Sequence, residues 1–341
     1  INDKWDILRT QLFLFFSFRV YLRHTMLFLN NTTSLSPTFF LNAFPGLEGD
    51  YVWLSIPFSC LYVIALLGNC MILFVIITER SLHKPMYYFV SMLSIVDLGL
   101  TMTTLPTVLG VFWFNLQEIS FNACAIQMFF LHGFSFLESS VLLAMAFDRF
   151  MAICDPLRYA AILTNSTIML IGLVIFVKQV VSLIPIALAL KGLSFHREHE
   201  LSHPYCYHPD VIKHSSANPW LSSLIGLFFL LSNSGVDLIF ILLSYILILR
   251  TILSITCPKE RRKAFSTCVS HIAAVAIFFV PMISVSLTHR LFATAPQIFP
   301  VIMANIYLLL PPVLNPIIYS LKTKPIYQAI LKLLKTKEAL R

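Results

Sequence analysis

The chain has 341 residues, of which 58% are hydrophobic and only 12% are charged, and its mean hydropathy is +0.82. Soluble domains carry about 25% charged residues, so this composition excludes an ordinary soluble fold of this size. The formal net charge of +8 could suggest a nucleic-acid partner. The basic residues lie beside long apolar stretches instead, which indicates a membrane protein with no nucleic-acid partner.

The N-terminal segment carries signals of the outer side of a membrane. Asn30 and Asn31 each begin an N-glycosylation sequon. The apolar run 12–18 is too short to span a bilayer, and no small-residue cleavage site follows it. Because Met26 precedes a tail of ordinary length, we interpret residues 1–25 as an extension, or an artefact of the gene model, ahead of an alternative start at Met26.

Seven apolar stretches are each long enough to cross a bilayer, which takes about 20 helical residues. They lack the alternating pattern of lipid-facing strands, so helices are favoured over a barrel. The predicted fold is an all-α membrane protein: a seven-transmembrane helix bundle (53–320) between an extracellular tail (1–52) and a cytoplasmic tail (321–341). The predicted spans are 53–78, 86–109, 122–154, 167–190, 219–254, 260–287 and 298–320.

The basic residues set the orientation of the predicted bundle. With the N-terminus outside, the outer loops hold only Lys191, Arg197, Lys213 and Arg290. Because Lys and Arg concentrate in cytoplasmic loops, this arrangement is the predicted one. A further sequon at Asn165 then lies on the inner side, where glycosylation enzymes do not reach. The inner side holds Arg80, Lys84, Arg149, Arg158, Arg250, Lys259, Arg261, Arg262, Lys263, Lys322, Lys324, Lys332, Lys335, Lys337 and Arg341.

Two of the seven cysteines lie on the predicted outer side. Cys124 lies at the top of the third span and Cys206 in the long second outer loop. That compartment is oxidising, so it permits a disulfide between them, which would hold the loop over the bundle as a lid. The others are interpreted as small packing residues in spans or at their inner ends: Cys60, Cys70, Cys154, Cys257 and Cys268.

Ionisable side chains inside the spans are candidates for function, because each costs roughly 2.5–3.5 kcal/mol at the bilayer centre. Asp97 in the second span and Glu138 in the third could face each other and share a sodium ion or a proton. The alternative is one carboxylic acid that a neighbour's hydrogen bond keeps neutral. The ionisable residues are Asp97, Glu138, Asp148, Arg149, Lys178 and Asp237.

The inner end of the third span carries an adjacent acid and base, Asp148 and Arg149. As an ion pair they would restrain each other until Arg149 is released to a partner. From Cys124 to Arg149 a helix rises about 37 Å, the whole bilayer thickness. Pro281 in the sixth span and Pro316 in the seventh each interrupt a backbone hydrogen bond, which predicts either a fixed kink or a hinge.

An ordered set of short motifs runs along the chain from about 42 to 325. It comprises Gly68-Asn69, Leu82 to Phe89, Leu93 to Asp97, Met145 to Tyr159, Ser244-Tyr245, Lys263 to His271 and Pro311 to Tyr319. This set resembles odorant receptors, which are rhodopsin-like G-protein-coupled receptors. Three further segments resemble the fish-like, class I branch and family 51 within it: Cys124 to His132, Thr288 to Arg290 and Ala304 to Leu310.

The resemblance implies a receptor for small odorants that signals through the stimulatory olfactory G protein and adenylyl cyclase. It also implies the plasma membrane of sensory neurons, their cilia included, and no catalysis. The implied residue roles are Cys124 with Cys206 as the disulfide, Asp97 with Glu138 as the cation site, and Asp148, Arg149, Tyr245, Asn315, Pro316 and Tyr319 as the G-protein switch. Two departures from the family pattern, Phe150 and Phe279, stand where tyrosine is usual.

A ligand site is expected beneath the second outer loop. His132 lies about 12 Å below Cys124 along the third span, at a depth where a small ligand fits. The expected ligand-binding residues are His132, Ser135, Phe136, Tyr207, His208, Phe279, Met282, Ile283, Ser286 and Arg290.

Arg290 is the most informative member of this set. A guanidinium offers forked donors that match a carboxylate, so we expect Arg290 to hold the acid group of a small aliphatic ligand. The alternative is a loop arginine that reaches water or pairs with Glu198 or Glu200. For His132, the alternatives are core packing and a hydrogen bond to the loop.

Other function classes fit the sequence less well. A transporter would favour paired repeats, and a channel a selectivity loop or a ring of like charges. A light receptor needs a lysine in the seventh span, and 298–320 contains none. Within receptors, a non-olfactory metabolite sensor and a non-functional gene product stay open.

The segment after the seventh span mixes basic and apolar residues. Ile326, Ile330 and Leu333 recur at helical spacing among lysines. This pattern predicts a short amphipathic helix on the lipid of the inner leaflet, with a solvated tail as the alternative.

Overall fold

The computed structural model describes the chain in segments. The N-terminal extension before Met26 and the sequons at Asn30 and Asn31 lie outside the described residues. The described residues are 37–44, 51–191, 193, 195, 198–215, 219–291 and 298–339.

Helices dominate the described segments, as predicted. In chain order they are α1 (Tyr51–Thr78), α2 (Pro85–Phe114), α3 (Phe121–Cys154), α4 (Pro156–Ile162), α5 (Asn165–Lys191), α6 (His208–Lys213), α7 (Pro219–Leu230), α8 (Val236–Ser254), α9 (Pro258–Leu291), α10 (Ile298–Lys322) and α11 (Lys324–Ala339). Within the described residues, seven helical segments are long and apolar enough to cross a membrane. The predicted seven-helix bundle with a C-terminal helix is therefore confirmed.

The seven spans are α1, α2, α3, α5, the continuous pair α7 and α8, α9 and α10. A helix satisfies most backbone polar groups within its own segment, which is what a lipid environment requires. The third span, α3, is the most buried of the seven, and the fourth, α5, is the least. The third span packs against the second, fourth, fifth and sixth, so it forms the axis of the bundle.

The fifth span contains a π-helical turn. Leu231–Gly235 joins α7 to α8 with a wider helical winding than the α-helices on either side. Such turns occur as local insertions in α-helices and are frequent at functional sites. The turn changes which side chains of the fifth span face the bundle above and below it.

A small sheet, which the all-α prediction did not include, lies at the end of the bundle that is predicted to face outside. The strands are β1 (Thr38–Leu41), β2 (Glu118–Ser120) and β3 (Glu198–Leu201). The central strand β1 pairs antiparallel with β2 and parallel with β3, with Thr38 opposite both Ser120 and Glu198. The sheet therefore ties the N-terminal tail to the first and second outer loops.

A disulfide joins Cys124 at the start of the third span to Cys206 in the second outer loop. This bond is the one expected from the sequence, and it is present in the structure. Gln127, one turn further down, accepts a hydrogen bond from the Cys206 amide at 2.8 Å. The loop from β3 to α6, which we call the lid, is thereby fixed to the third span at two points.

Candidate functional site

A cavity lies beneath the lid between the third, fourth, fifth, sixth and seventh spans. Its volume is about 50 Å³, which is room for a few waters or a ligand of a handful of heavy atoms. Most of its wall is apolar, with a few polar groups. The lining residues are His132, Phe136, Ile186, Tyr207, His208, Pro209, Gly226, Leu230, Met282, Ser286 and Tyr307.

Six of the residues expected from the sequence line this cavity: His132, Phe136, Tyr207, His208, Met282 and Ser286. Ser135 does not line the cavity, but its hydroxyl is hydrogen-bonded to the phenol of Tyr307, which does line it. Ser135 precedes the lining residue Phe136 by one position, and neighbouring residues of a helix point about 100° apart, so the two side chains face different directions.

Two expected residues lie elsewhere. Ile283 is 40% exposed on the side of the sixth span that faces away from the bundle, because it follows the inward-facing Met282 by one residue. Phe279 is buried with its ring against Phe278, centroid to centroid 4.9 Å, and does not line the cavity. The side chain of Arg290, in the last turn of α9, lies outside the described part of the chain.

Sequence reasoning missed several lining residues. Ile186, Gly226 and Leu230 are apolar or small residues in spans rich in such residues, so nothing in the sequence distinguished them. Tyr307 had a signal, because it lies in the Ala304 to Leu310 segment that carries the family resemblance.

His132 brings an unpaired polar atom to the cavity. Its Nε2 atom is buried and has no hydrogen-bond partner. The rings of Tyr207 and His208 lie 5.9 and 6.0 Å from the His132 ring, centroid to centroid. Because an unpaired buried nitrogen is costly, a ligand that hydrogen-bonds to it would gain affinity.

The lid has its own buried polar core. Asp210 accepts hydrogen bonds from the Ser202 amide at 2.7 Å and from His203 at 3.2 Å. Burial alone would raise the pKa of Asp210, but His203, the Ser202 amide and the Lys213 charge together lower that pKa to about 2. The carboxylate is therefore charged at neutral pH and stabilises the lid over the cavity.

The two acids expected to share a cation are adjacent to a third polar side chain. Asn315 of the seventh span donates to Asp97 at 3.0 Å and lies 3.5 Å from Glu138. The remaining oxygens, Glu138 Oε2 and Asn315 Oδ1, are buried without hydrogen-bond partners. Carboxylate and amide oxygens are the ligands of hard cations, so this donor set fits sodium. Among the described residues, no group of three His, Cys, Asp or Glu side chains is arranged so that it could hold a metal ion.

At the inner end of the third span, Asp148 and Arg149 are both buried. Their side chains lie 4.0 Å apart, and Asp148 accepts a hydrogen bond from Tyr159 of the helix α4 at 2.7 Å. Burial first, and the Asp148 carboxylate next, raise the pKa of the Tyr159 phenol. The acid thus restrains both Arg149 and the second inner loop.

A hydrogen-bonded chain joins three spans near this pair. Tyr245 of the fifth span is 2.7 Å from His271 Nδ1, and His271 Nε2 is 3.0 Å from the Leu142 carbonyl of the third. Because a carbonyl only accepts, Nε2 carries the proton and Tyr245 donates to Nδ1 in the neutral imidazole. His271 ends the Lys263 to His271 motif, but the sequence did not predict this role for it.

The seventh-span residues of the predicted switch face the bundle interior. Tyr319 is buried, with its hydroxyl 4.0 Å from the Met145 sulfur of the third span. Pro316 packs so closely on the first span that a Cβ at Gly68 would lie 2.9 Å from its Cγ. The seventh span therefore contacts both the first and the third span.

Seven spans, a disulfide-bonded lid over a small cavity, and a buried acid–arginine pair at the opposite end together define a G-protein-coupled receptor. A family model described as olfactory receptor matches residues 58–337. The chain belongs to the olfactory receptor family.

Human relatives place it more narrowly. Olfactory receptor 51T1 of Homo sapiens is 64% identical over 92% of this chain and 95% of its own length. Olfactory receptors 51F2 and 51F1 of the same organism are 57% and 56% identical, over 91% and 92% of this chain and 91% and 98% of their own lengths. The predicted resemblance to family 51 is confirmed. The chain is a multi-pass plasma-membrane receptor for odorants that couples to a G protein, and it is not an enzyme.

Proposed function

We propose that this receptor binds a small, carboxylate-bearing odorant in the cavity and activates a stimulatory olfactory G protein, which raises cAMP. The observation that carries the proposal is the inward face of the sixth span. Met282 and Ser286 are four residues apart and both line the cavity. The same four-residue spacing in the sequence predicts Arg290 on this face, one turn further towards the outer end.

The cavity chemistry supports an anionic, short ligand. None of the lining side chains that the structure describes is acidic. A carboxylate at the outer end would meet the forked donors of Arg290, and its tail would lie against Phe136, Ile186 and Leu230. The His132 nitrogen without a partner offers a further polar contact.

The inner contacts suggest how ligand binding reaches the G protein. In the described state, Tyr245, His271 and the Leu142 carbonyl hold the fifth and sixth spans on the third. Arg149 remains buried beside Asp148. We infer that a ligand drawing the outer end of the sixth span inward would shift this equilibrium and expose Arg149.

Four further features belong to the same proposal. The N-terminus is extracellular, as the distribution of basic residues supports. The receptor resides in sensory cilia. A sodium ion is held by Asp97, Glu138 and Asn315. The helix α11 contacts inner-leaflet lipid through its exposed side, which includes Lys324 and Lys332.

The test is a cAMP assay in cells that carry the stimulatory olfactory G protein. The full chain with an added surface tag is exposed to small acids, alcohols and aldehydes, and surface staining is measured in parallel. Arg290→Ala should raise the half-maximal concentration of an activating acid by about tenfold to a hundredfold, the value of hydrogen bonds to a charged group. Arg290→Lys should be intermediate, since a lysine keeps the charge and loses the fork.

Arg197→Ala is the matched control, because it removes another outer-loop arginine. A response to acids that Arg290→Ala leaves unchanged, at equal surface staining, would contradict the carboxylate proposal. A response to neutral odorants alone would also contradict the carboxylate proposal, but it would be consistent with an odorant receptor. Activation without a cAMP rise would contradict the stimulatory coupling.

A further inference from the structure

An ion pair lies in the middle of the membrane-spanning region, away from both ends of the bundle. Lys178 Nζ of the fourth span is 3.1 Å from Asp237 Oδ1 of the fifth, and the Asp237 side chain is only 2% exposed. Removing a charge from water is costly, and apolar residues of similar size often pack as well or better. A role beyond packing would explain why charges occupy this position.

The pair is the centre of a polar cluster that joins three spans. Ser139 and Ser140 of the third span donate to Asp237 Oδ2 at 3.0 and 2.8 Å. The Ser140 hydroxyl accepts in turn from Lys178 at 3.2 Å and from Gln179 at 2.9 Å. We call Ser139, Ser140, Lys178, Gln179 and Asp237 the ion-pair cluster. Each Asp237 oxygen has a donor, so the geometry of the cluster is strongly constrained.

The cluster is connected to one wall of the cavity. Gln179 also donates to the backbone carbonyl of Phe136 at 3.3 Å, and the Phe136 ring lines the cavity. This hydrogen bond ties the third-span part of the wall to the same fourth-span side chain that contacts Ser140.

A second connection runs through the π-helical turn of the fifth span. Ser182, one turn after Lys178, donates to Asn233 at 3.2 Å. Asn233 donates to the Phe229 carbonyl at 3.0 Å, next to the lining residue Leu230. Asp237 lies two residues after the turn and Asn233 lies within it, so the ion pair and the Asn233 hydrogen bonds both constrain the turn.

We propose that Lys178 and Asp237 are positioning residues of the ligand site. The ion pair holds the fifth span in one rotation against the third and fourth, and this rotation places Leu230 and Phe136 in the cavity wall. The inference deepens the proposed function, since it rests on this cavity being the ligand site. Met282 of the sixth-span wall makes no hydrogen bond to the cluster in the part of the chain that the structure describes, so it serves as an internal reference.

The test measures the exposure of single cysteines in the cavity and needs neither ligand nor G protein. The full tagged chain carries Leu230→Cys or Met282→Cys, and its reaction rate with 2-aminoethyl methanethiosulfonate is measured on intact cells. The chain without the introduced cysteine gives the background. Each reporter is combined with Lys178→Met, Asp237→Asn, both together, or Lys178→Arg. Lys332→Met is the matched control, because it removes a lysine from a different ion pair. Lys332 lies 3.0 Å from Glu79, outside the predicted spans.

We expect Lys178→Met and Asp237→Asn to change the rate at position 230 by about threefold or more, within the range for contacting residues of one network. The rate at position 282 should stay constant. Lys178→Arg and Lys332→Met should keep the parent rate at both positions.

The double variant decides the case if a single variant leaves an unpaired charge and fails to reach the surface. It lacks both charges, so it should reach the surface and still show the altered rate at position 230. A parent-like rate in the double variant, or an equal change at position 282, would overturn the proposal. A receptor that responds to no acid in the cAMP assay would contradict the proposed ligand class and leave these rates unaffected, so the two failures are distinguishable.

Discussion

At the residue scale, the group around Asn315 has more oxygen acceptors than donors. The Asn315 amide donates to Asp97 and approaches Glu138, but Glu138 Oε2 and the amide oxygen keep no partner. Two buried carboxylates cannot both stay charged beside each other without a compensating positive charge. Either a proton or a cation must therefore be shared between them.

Sodium dependence of stability separates these two cases. The purified receptor should melt at a higher temperature in sodium chloride than in a chloride salt of a large organic cation at equal ionic strength. Binding would contribute about 1.4 kcal/mol when free sodium is about ten times its dissociation constant. Glu138→Gln should abolish the difference, and Glu118→Gln on the exposed strand β2 should retain it. Equal melting temperatures of the parent in the two salts would favour the shared proton.

The residues of the sites were partly predictable. Met282 and Ser286 were among the ligand-binding residues expected from the sequence, and both line the cavity. The cost of charge in lipid singled out Lys178 and Asp237 as residues that need a role. Their pairing was not predictable, because it depends on how the fourth and fifth spans are rotated about their axes. Sequence alone does not determine that rotation when apolar residues surround a span on every side. Ile283 was wrongly placed in the cavity for the same reason.

At the element scale, the seven spans follow from the length of apolar runs alone. The outer sheet does not, since its strands have three or four residues and pair across long separations in sequence. The π-helical turn Leu231–Gly235 is equally hidden, because one extra residue in a helical turn leaves no mark in an apolar pattern. Physical constraints from lipid thus fix the helices, and contacts made only in the folded chain fix the rest.

The contact between the first and seventh spans depends on one glycine. Gly68→Ala should destabilise the receptor by about 1–3 kcal/mol, because the added Cβ would lie 2.9 Å from Pro316, a rigid ring in a packed helix. The measurements are the melting temperature and the amount of receptor at the cell surface. Gly110→Ala is the control, since its Cβ would meet the nearest heavy atom at 3.7 Å. Equal stability of both variants would mean that the spans separate at little cost.

At the scale of the whole molecule, the third span connects every feature of the receptor. It carries the disulfide at Cys124, the cavity residue His132, the buried acid Glu138 and the inner residue Arg149. The ion-pair cluster lies between the cavity and the inner end. The order of these features along the third span can carry a signal across the membrane only if the two ends of the bundle face different compartments.

Glycosylation tests that orientation, because the modifying enzymes act only on the outer side. Replacing both outer sequons with Asn30→Gln and Asn31→Gln should abolish the mobility shift that peptide N-glycosidase produces in the tagged chain. Asn165→Gln is the matched control: Asn165 begins α5 at the predicted inner end of the fourth span, so this change should leave the shift intact. If the shift instead depended on Asn165, the N-terminus would face the cytoplasm. Arg149 and the inner hydrogen bonds would then lie outside the cell, where no G protein could reach them.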